Sequence, residues 1–194
     1  MNDTVISAIP AAYAALEYKT KSIGFSMSSD KHVGALLRTL AASKPGGYFL
    51  ELGTGTGLSL AWILEGMDEQ SKVITVDNDP ELIQIATEAL GADKRVQFIC
   101  EDGEQWIHNY QSAGFDFIFA DAWPGKYSVI EKTLDMLNPG GLYIIDDMLE
   151  QPNWPEGHQE KAEKLIDYLE GREDLRLTKM NWSTGLIIAT KIKV

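Results

Sequence analysis

The sequence predicts an α/β fold: seven strands in a mostly parallel sheet, with helices on both faces. Three observations carry that prediction. Short apolar runs alternate five times with longer amphipathic ones; a glycine-rich stretch, ELGTGTG from Glu51 to Gly57, joins the first apolar run to a helix; and the chain closes on two strand-like runs with only a short polar stretch between them. Strands separated by helical crossovers run parallel, whereas a tight return forces one antiparallel partner.

Taken in order, apolar residues recur at helical spacing from Thr4 to about Tyr18, and Ser29 or Asp30 is placed to cap a second helix running to about Ala42. Pro45, Gly46 and Gly47 then interrupt the pattern. The alternation follows: Tyr48 to Leu52 and a helix from about Leu58; Val73 to Val76 and a helix from about Pro80; Val96 to Cys100 and a helix from Glu104 to about Gln111. Phe115 to Ala120 precedes a helix over Tyr127 to Leu137, and Leu142 to Ile145 precedes one from about His158 to Glu170. Leu175 to Met180 and Leu186 to Thr190 form the closing hairpin, joined by Asn181 to Gly185. With no repeat, low-complexity tract or linker, one domain spans 1–194, and residues 1–45 are its N-terminal helical extension.

Composition narrows the function. The formal net charge of -12 repels phosphate backbones and anionic lipid, and no basic stripe offsets it, so neither nucleic acid nor membrane is an expected partner. The single cysteine, Cys100, rules out an intrachain disulfide or a cysteine zinc cluster. The N-terminus has no leader pattern and no apolar run reaches spanning length, so a soluble, unprocessed, cytoplasmic protein is expected.

Gly53, Gly55 and Gly57 remove side chains where a strand passes into a helix, so backbone amides can approach a ligand at the strand's carboxyl end. The alternative is a tight turn that only packs helix on strand. The spacing is Gly-x-Gly-x-Gly and does not continue into the Gly-x-Gly-x-x-Gly form that seats a pyrophosphate. Glu51 disfavours a diphosphate and suits an ammonium, which makes the ligand zwitterionic. Asp77, twenty positions after Gly57, ends the second strand, where a carboxylate can accept both hydroxyls of a ribose. Capping of the following helices competes with ligand binding for both Asp77 and Asp102.

With these residues, and with the segments ELGTGTGLS, VITVDNDPE, FDFIFADAWPGKY and NPGGLYIIDDM, the chain from Gly24 onward resembles class I S-adenosylmethionine (SAM) dependent methyltransferases, in particular the small-molecule O-methyltransferases of the catechol and caffeoyl-CoA type. The resemblance implies a Rossmann-like sheet and a SAM site formed by Glu51, Gly53, Gly55, Gly57, Ser59, Asp77, Asn78, Asp102, Gly103 and Asp121. Asp102 would read the adenine, flanked by Asn78 and Gly103, and Ser26 to Ser29 would fold over the methionine end. It also implies a divalent cation such as Mg2+ on Asp121, Asp146 and Asp147, although Asp147 stands where the family carries Asn. The family's basic lysine is replaced by Pro124, leaving Lys126 or His158, in the segment QPNWPEGH, as catalytic candidates. The alternative for both is a solvated position at a helix start. Trp123 and Trp154 are candidate walls of an aromatic acceptor pocket.

The expected activity is methyl transfer to a hydroxyl of a small acceptor, with homodimerisation left open. Rivals are methylation of a protein or other amine, a SAM-binding protein without catalysis, and an NAD-dependent oxidoreductase. The last is opposed by the glycine spacing, by Glu51, by the closing hairpin and by Glu131 where a Tyr-x-x-x-Lys motif from Tyr127 needs lysine.

Overall fold

A computed structural model describes residues 2–151 and 154–193. It contains α1 (Tyr13–Ser22), α2 (Lys31–Ala42), β1 (Tyr48–Leu52), α3 (Leu58–Gly66), β2 (Lys72–Asp77), α4 (Pro80–Leu90) and β3 (Val96–Cys100). These are followed by α5 (Gly103–Asn109), β4 (Phe115–Ala120), α6 (Ile130–Asp135), β5 (Leu137–Ile145), α7 (His158–Glu170), β6 (Leu175–Met180) and β7 (Leu186–Lys191). The seven strands lie in the order β3-β2-β1-β4-β5-β7-β6. Strands β1 to β5 pair in parallel, and β7 pairs antiparallel with both β5 and β6. The mostly parallel sheet with a closing hairpin is therefore the fold expected from the pattern.

Alternation along the strands separates two cores. Leu50, Ile118, Tyr143 and Ile145 face one layer, with Ile107 of α5, Leu134 of α6 and Leu165 and Leu169 of α7. Phe49, Phe117, Phe119 and Ile144 face the other, where Leu16, Val33, Leu37, Leu60 and Trp62 supply the buried helical surface. The N-terminal helices thus share a core with the sheet.

Three elements differ from expectation, each for a local reason. The first helix begins at Tyr13 instead of Thr4, because Ala8 takes a left-handed φ of 53° and the carbonyls of Ser7 and Ala8 accept from the Arg38 guanidinium. Helix α6 begins at Ile130 instead of Tyr127, since Val129 at φ 49° breaks the helical path. Strand β5 extends back to Leu137 through Asn138, Pro139 and two glycines, with a register shift opposite Phe115 and Phe117. Caps fall where short acids were available: Asp30, Asp79 and Asp102 accept from the first-turn amides of α2, α4 and α5. Among the described residues no helix is long and apolar enough to cross a membrane.

Candidate active site

The order β1-β4 marks the point where the chain reverses its progress across the sheet, and the crevice lies beyond the carboxyl ends of these strands. Two cavities open there. The larger, of about 780 Å³, is lined by Gly53, Gly55, Asp77, Asn78, Asp102, Gly103 and Asp121 among the expected residues, and its volume suits a nucleoside-sized ligand. The smaller, of about 490 Å³, is lined by Lys126, Tyr127, Asp147, Trp154, His158 and Thr184. Met27, Asp121, Ala122 and Trp123 line both.

The glycine turn forms the floor of the larger cavity. Gly53 has φ +100°, and a Cβ there would stand 2.8 Å from the Asp121 carbonyl oxygen, so a side chain would push β1 and β4 apart. Gly57 sits at φ +92° with α4 against it: a Cβ would meet that of Ala86 at 3.0 Å. The first glycine thus allows two strand ends to meet, and the third packs helices without lining the cavity.

Asp77 accepts from the Gly55 amide at 2.8 Å and from the Asp79 amide at 3.0 Å. Asp79, not Asp77, caps α4. These two bonds orient the Asp77 carboxylate and leave it further lone pairs for ribose hydroxyls. Asp102 caps α5 through Gln105 N at 2.9 Å and also lines the cavity, so capping does not withdraw it from the crevice. Glu51 lies beneath the turn, fully buried, accepting from Ser59 Oγ and Thr75 Oγ1 at 2.6 Å each. Burial pushes its carboxyl up to about 7. Ser59 faces a narrow recess beside Gly53, Gly55 and Asp121.

The smaller cavity gathers ionisable groups out of water. The loop after β4 curls tightly, with the Trp123 carbonyl accepting from the amides of Lys126, Tyr127 and Ser128. Gly125, at φ +82°, completes the reversal. Lys126 is turned inward, only 5% exposed, and its Nζ donates to the Asp146 carbonyl at 2.5 Å and, at 3.5 Å, to that of Asp147. Burial lowers its pKa against the opposing pull of Asp121, Asp147 and Asp146. Pro124 packs on Gly103 at the edge of the larger cavity, where a Gly103 Cβ would lie 2.9 Å from the proline Cβ.

His158, also buried at 8% exposure, sits in an aromatic box. Its ring centroid is 4.2 Å from that of Trp154, 5.1 Å from Tyr127 and 5.5 Å from Trp123. Nε2 pairs with the Tyr127 hydroxyl at 3.1 Å, and Nδ1 has no hydrogen-bond partner among the described residues. Burial first, then Lys126, holds its pKa below the usual value, favouring neutral imidazole. Neither Lys126 nor His158 is the solvated helix-start residue that its position allowed. Pro152 and Asn153, from the segment before α7, lie outside the described residues.

Among the described residues, two of the three acids expected to hold a divalent cation, Asp121 and Asp146, are engaged in part by protein partners. Asp121 Oδ2 accepts from Ser29 Oγ at 2.9 Å. Asp146 Oδ1 is taken by the Thr184 hydroxyl and by the Asp147 amide at 2.8 Å. Among the described residues no three Asp, Glu, His or Cys side chains are placed to hold a metal ion. A hard divalent cation takes about six or more oxygens, waters included, and here hydroxyls and an amide already engage one oxygen each of Asp121 and Asp146. Burial raises all three acids: Asp146 to about 6, Asp147 above its usual value, and Asp121 well above it with help from Asp146 and Asp147.

Two contributors had no local sequence signal, Phe25 and Thr184, whereas Met27 belongs to the Ser26 to Ser29 segment expected over the cofactor. Phe25 and Met27 reach the larger cavity from the segment before α2, and Thr184 comes from the β6–β7 turn. That turn lies beside the end of β5 because β7 runs antiparallel, and amides of Met148 and Leu149 bond to the carbonyls of Gly185 and Thr184.

Known proteins bear on this arrangement. A Mycobacterium tuberculosis relative named "Probable O-methyltransferase" is 30% identical over 118 residues, which is 58% of this chain and 53% of the relative. The match thus spans about half the length of that curated relative. The crystal structure of an O-methyltransferase from Bacillus cereus in complex with SAH superposes with a TM-score of 0.83 at 19% identity, covering 97% of this chain and 94% of that one. That of the O-methyltransferase TomG from Streptomyces achromogenes, involved in tomaymycin synthesis and in complex with SAM, gives 0.82 at 19% identity, covering 98% and 94%. Residues 50–148 match the family described as "Methyltransferase domain". This stretch runs from β1 through the loop after β5 and carries the glycine turn and all the strand-end acids, and on that match the chain belongs to the methyltransferase domain family.

Proposed function

We propose that the protein is a SAM-dependent O-methyltransferase acting on a hydroxyl of a small aromatic acceptor, in the cytoplasm, with neither nucleic acid nor membrane as partner. One observation carries this reading: a nucleoside-sized cavity and an aromatic-walled one meet at Asp121, so a donor in the first can present a methyl group to an oxygen in the second. The names of the relatives support the same reaction class.

SAM supplies a methyl on sulfonium: the acceptor oxygen attacks that carbon, the C–S bond breaks with its electron pair passing to sulfur, and S-adenosylhomocysteine (SAH) leaves. The protein aligns the two reactants and handles one proton. Asp77 holds the ribose hydroxyls, Asp102 and Gly103 border the adenine, and Phe25 and Met27 cover the donor. Trp123, Tyr127 and Trp154 wall the acceptor ring. The hydroxyl proton leaves through the Tyr127 hydroxyl, which accepts it while giving its own proton to His158 Nε2. No step requires a covalent enzyme intermediate.

Isothermal titration with SAM and SAH tests the donor half, and SAH release across a panel of phenols tests the acceptor half. Absence of affinity for either nucleoside overturns the reading.

A further inference from the structure

The acceptor cavity is lined by the carboxylates of Asp121 and Asp147, with Asp146 next to it, and by one buried lysine that reaches the backbone of Asp146 and Asp147. Lys126 approaches from the loop after β4, lines the cavity, and donates to the Asp146 carbonyl at 2.5 Å and the Asp147 carbonyl at 3.5 Å. An ammonium has three N–H donors. Two are directed at these carbonyls, leaving one for a ligand in the cavity. Around it, Asp121 Oδ2 accepts from Ser29, and Asp146 Oδ1 accepts from Thr184 and the Asp147 amide, so part of the carboxylate oxygen is already engaged by the protein.

We infer that the Lys126 ammonium takes the place of a divalent cation: it offsets the charge of Asp121, Asp146 and Asp147 and holds the acceptor through a single oxygen. This rests on the methyl-transfer reading above for the identity of the acceptor, but not for the exclusion of the ion. Two consequences follow from chemistry. A divalent cation chelates neighbouring oxygens and rewards a vicinal diol, while an ammonium is a point donor that one phenolate oxygen satisfies. And the cation is built into the chain, so chelators leave the site intact.

The test uses the whole protein loaded with SAH. Free Mn2+ is followed by electron paramagnetic resonance as protein is added at millimolar ion; the expected result is an unchanged signal, and saturable uptake near one ion per chain overturns the inference. In parallel, 4-nitrophenol is titrated in at a pH below its own pKa, with chelator or with Mn2+. The visible phenolate band is expected to grow equally in both, and to weaken by at least about tenfold in Lys126→Met, in line with loss of one charge-assisted hydrogen bond. Circular dichroism and SAH affinity establish that this variant is folded. A band that needs Mn2+, persists in folded Lys126→Met, or never forms in the wild type counts against the inference. Failure of SAH to bind would strike the donor reading alone, since the Mn2+ titration is decisive without it.

Discussion

The two cavities share a sheet edge but are built by opposite means. The donor cavity is made of backbone and turn geometry: positive-φ glycines, a carboxylate held by two amides, and a helix cap that also faces the ligand. The acceptor cavity is made of side chains removed from water, with Lys126, Asp146 and His158 all buried and each shifted away from its ordinary pKa. Recognition of a common nucleoside needs fixed donors and acceptors that work without special electrostatics. Proton handling needs pKa values moved by burial, and burial needs walls from several elements.

Gly53→Ala attacks the point where the two halves touch. The new Cβ falls 2.8 Å from the Asp121 carbonyl at a φ unfavourable for alanine, so about 3–4 kcal/mol of stability should be lost, with donor and acceptor functions falling together. Urea denaturation and SAH titration measure both; a variant that loses only one function would show that the halves are less coupled than the contact implies.

Two substitutions should separate the halves. Asp77→Ala removes the ribose acceptor and should weaken SAM binding by about 100-fold, read by calorimetry, with little change in turnover at saturating donor. His158→Ala should do the reverse, lowering kcat by about 100-fold at unchanged SAM affinity. The wild-type rate should also hold as pH falls, declining only below 6.5, because burial keeps the imidazole neutral. A rate that falls with a midpoint above 6.5 would remove His158 from the proton path.

The smallest effect belongs to Glu51, which lies under the donor half but has the electrostatics of the acceptor half. Its carboxyl is raised from 4.5 to about 7 by burial, so between these values the folded state binds the proton and the unfolded state does not. The Glu51 contribution to stability is therefore fully present below about 4.5 and is lost as pH rises toward 7. Glu51→Gln should flatten that dependence in a series of thermal melts. An unaltered pH profile would mean that the group stays ionised beneath the turn.

The donor half was legible in the sequence because its signals are local. Glycines at alternate positions, the strand-end acids Asp77 and Asp102 and the helix-capping acids Asp79 and Asp102 are short-range patterns, and strand boundaries such as Tyr48–Leu52 and Phe115–Ala120 emerged from apolar runs alone. The acceptor half was legible only as candidates. The sequence placed Lys126 and His158 at helix starts, where solvent exposure is the usual state; it could not show that Val129 breaks the helix and that the loop turns Lys126 beneath the site.

What the sequence by itself determined is the layered sheet, its closing hairpin and the nucleoside crevice, because period, turn chemistry and capping act over a few residues. Only the tertiary structure decided that Lys126 is buried against the Asp146 and Asp147 carbonyls, that His158 is boxed by three aromatic rings and that Glu51 is sealed below the turn. Burial and charge compensation are sums over segments far apart in the chain, and Ser29, Asp121, Asp146 and Thr184 acquire their partners only when the sheet brings those segments together.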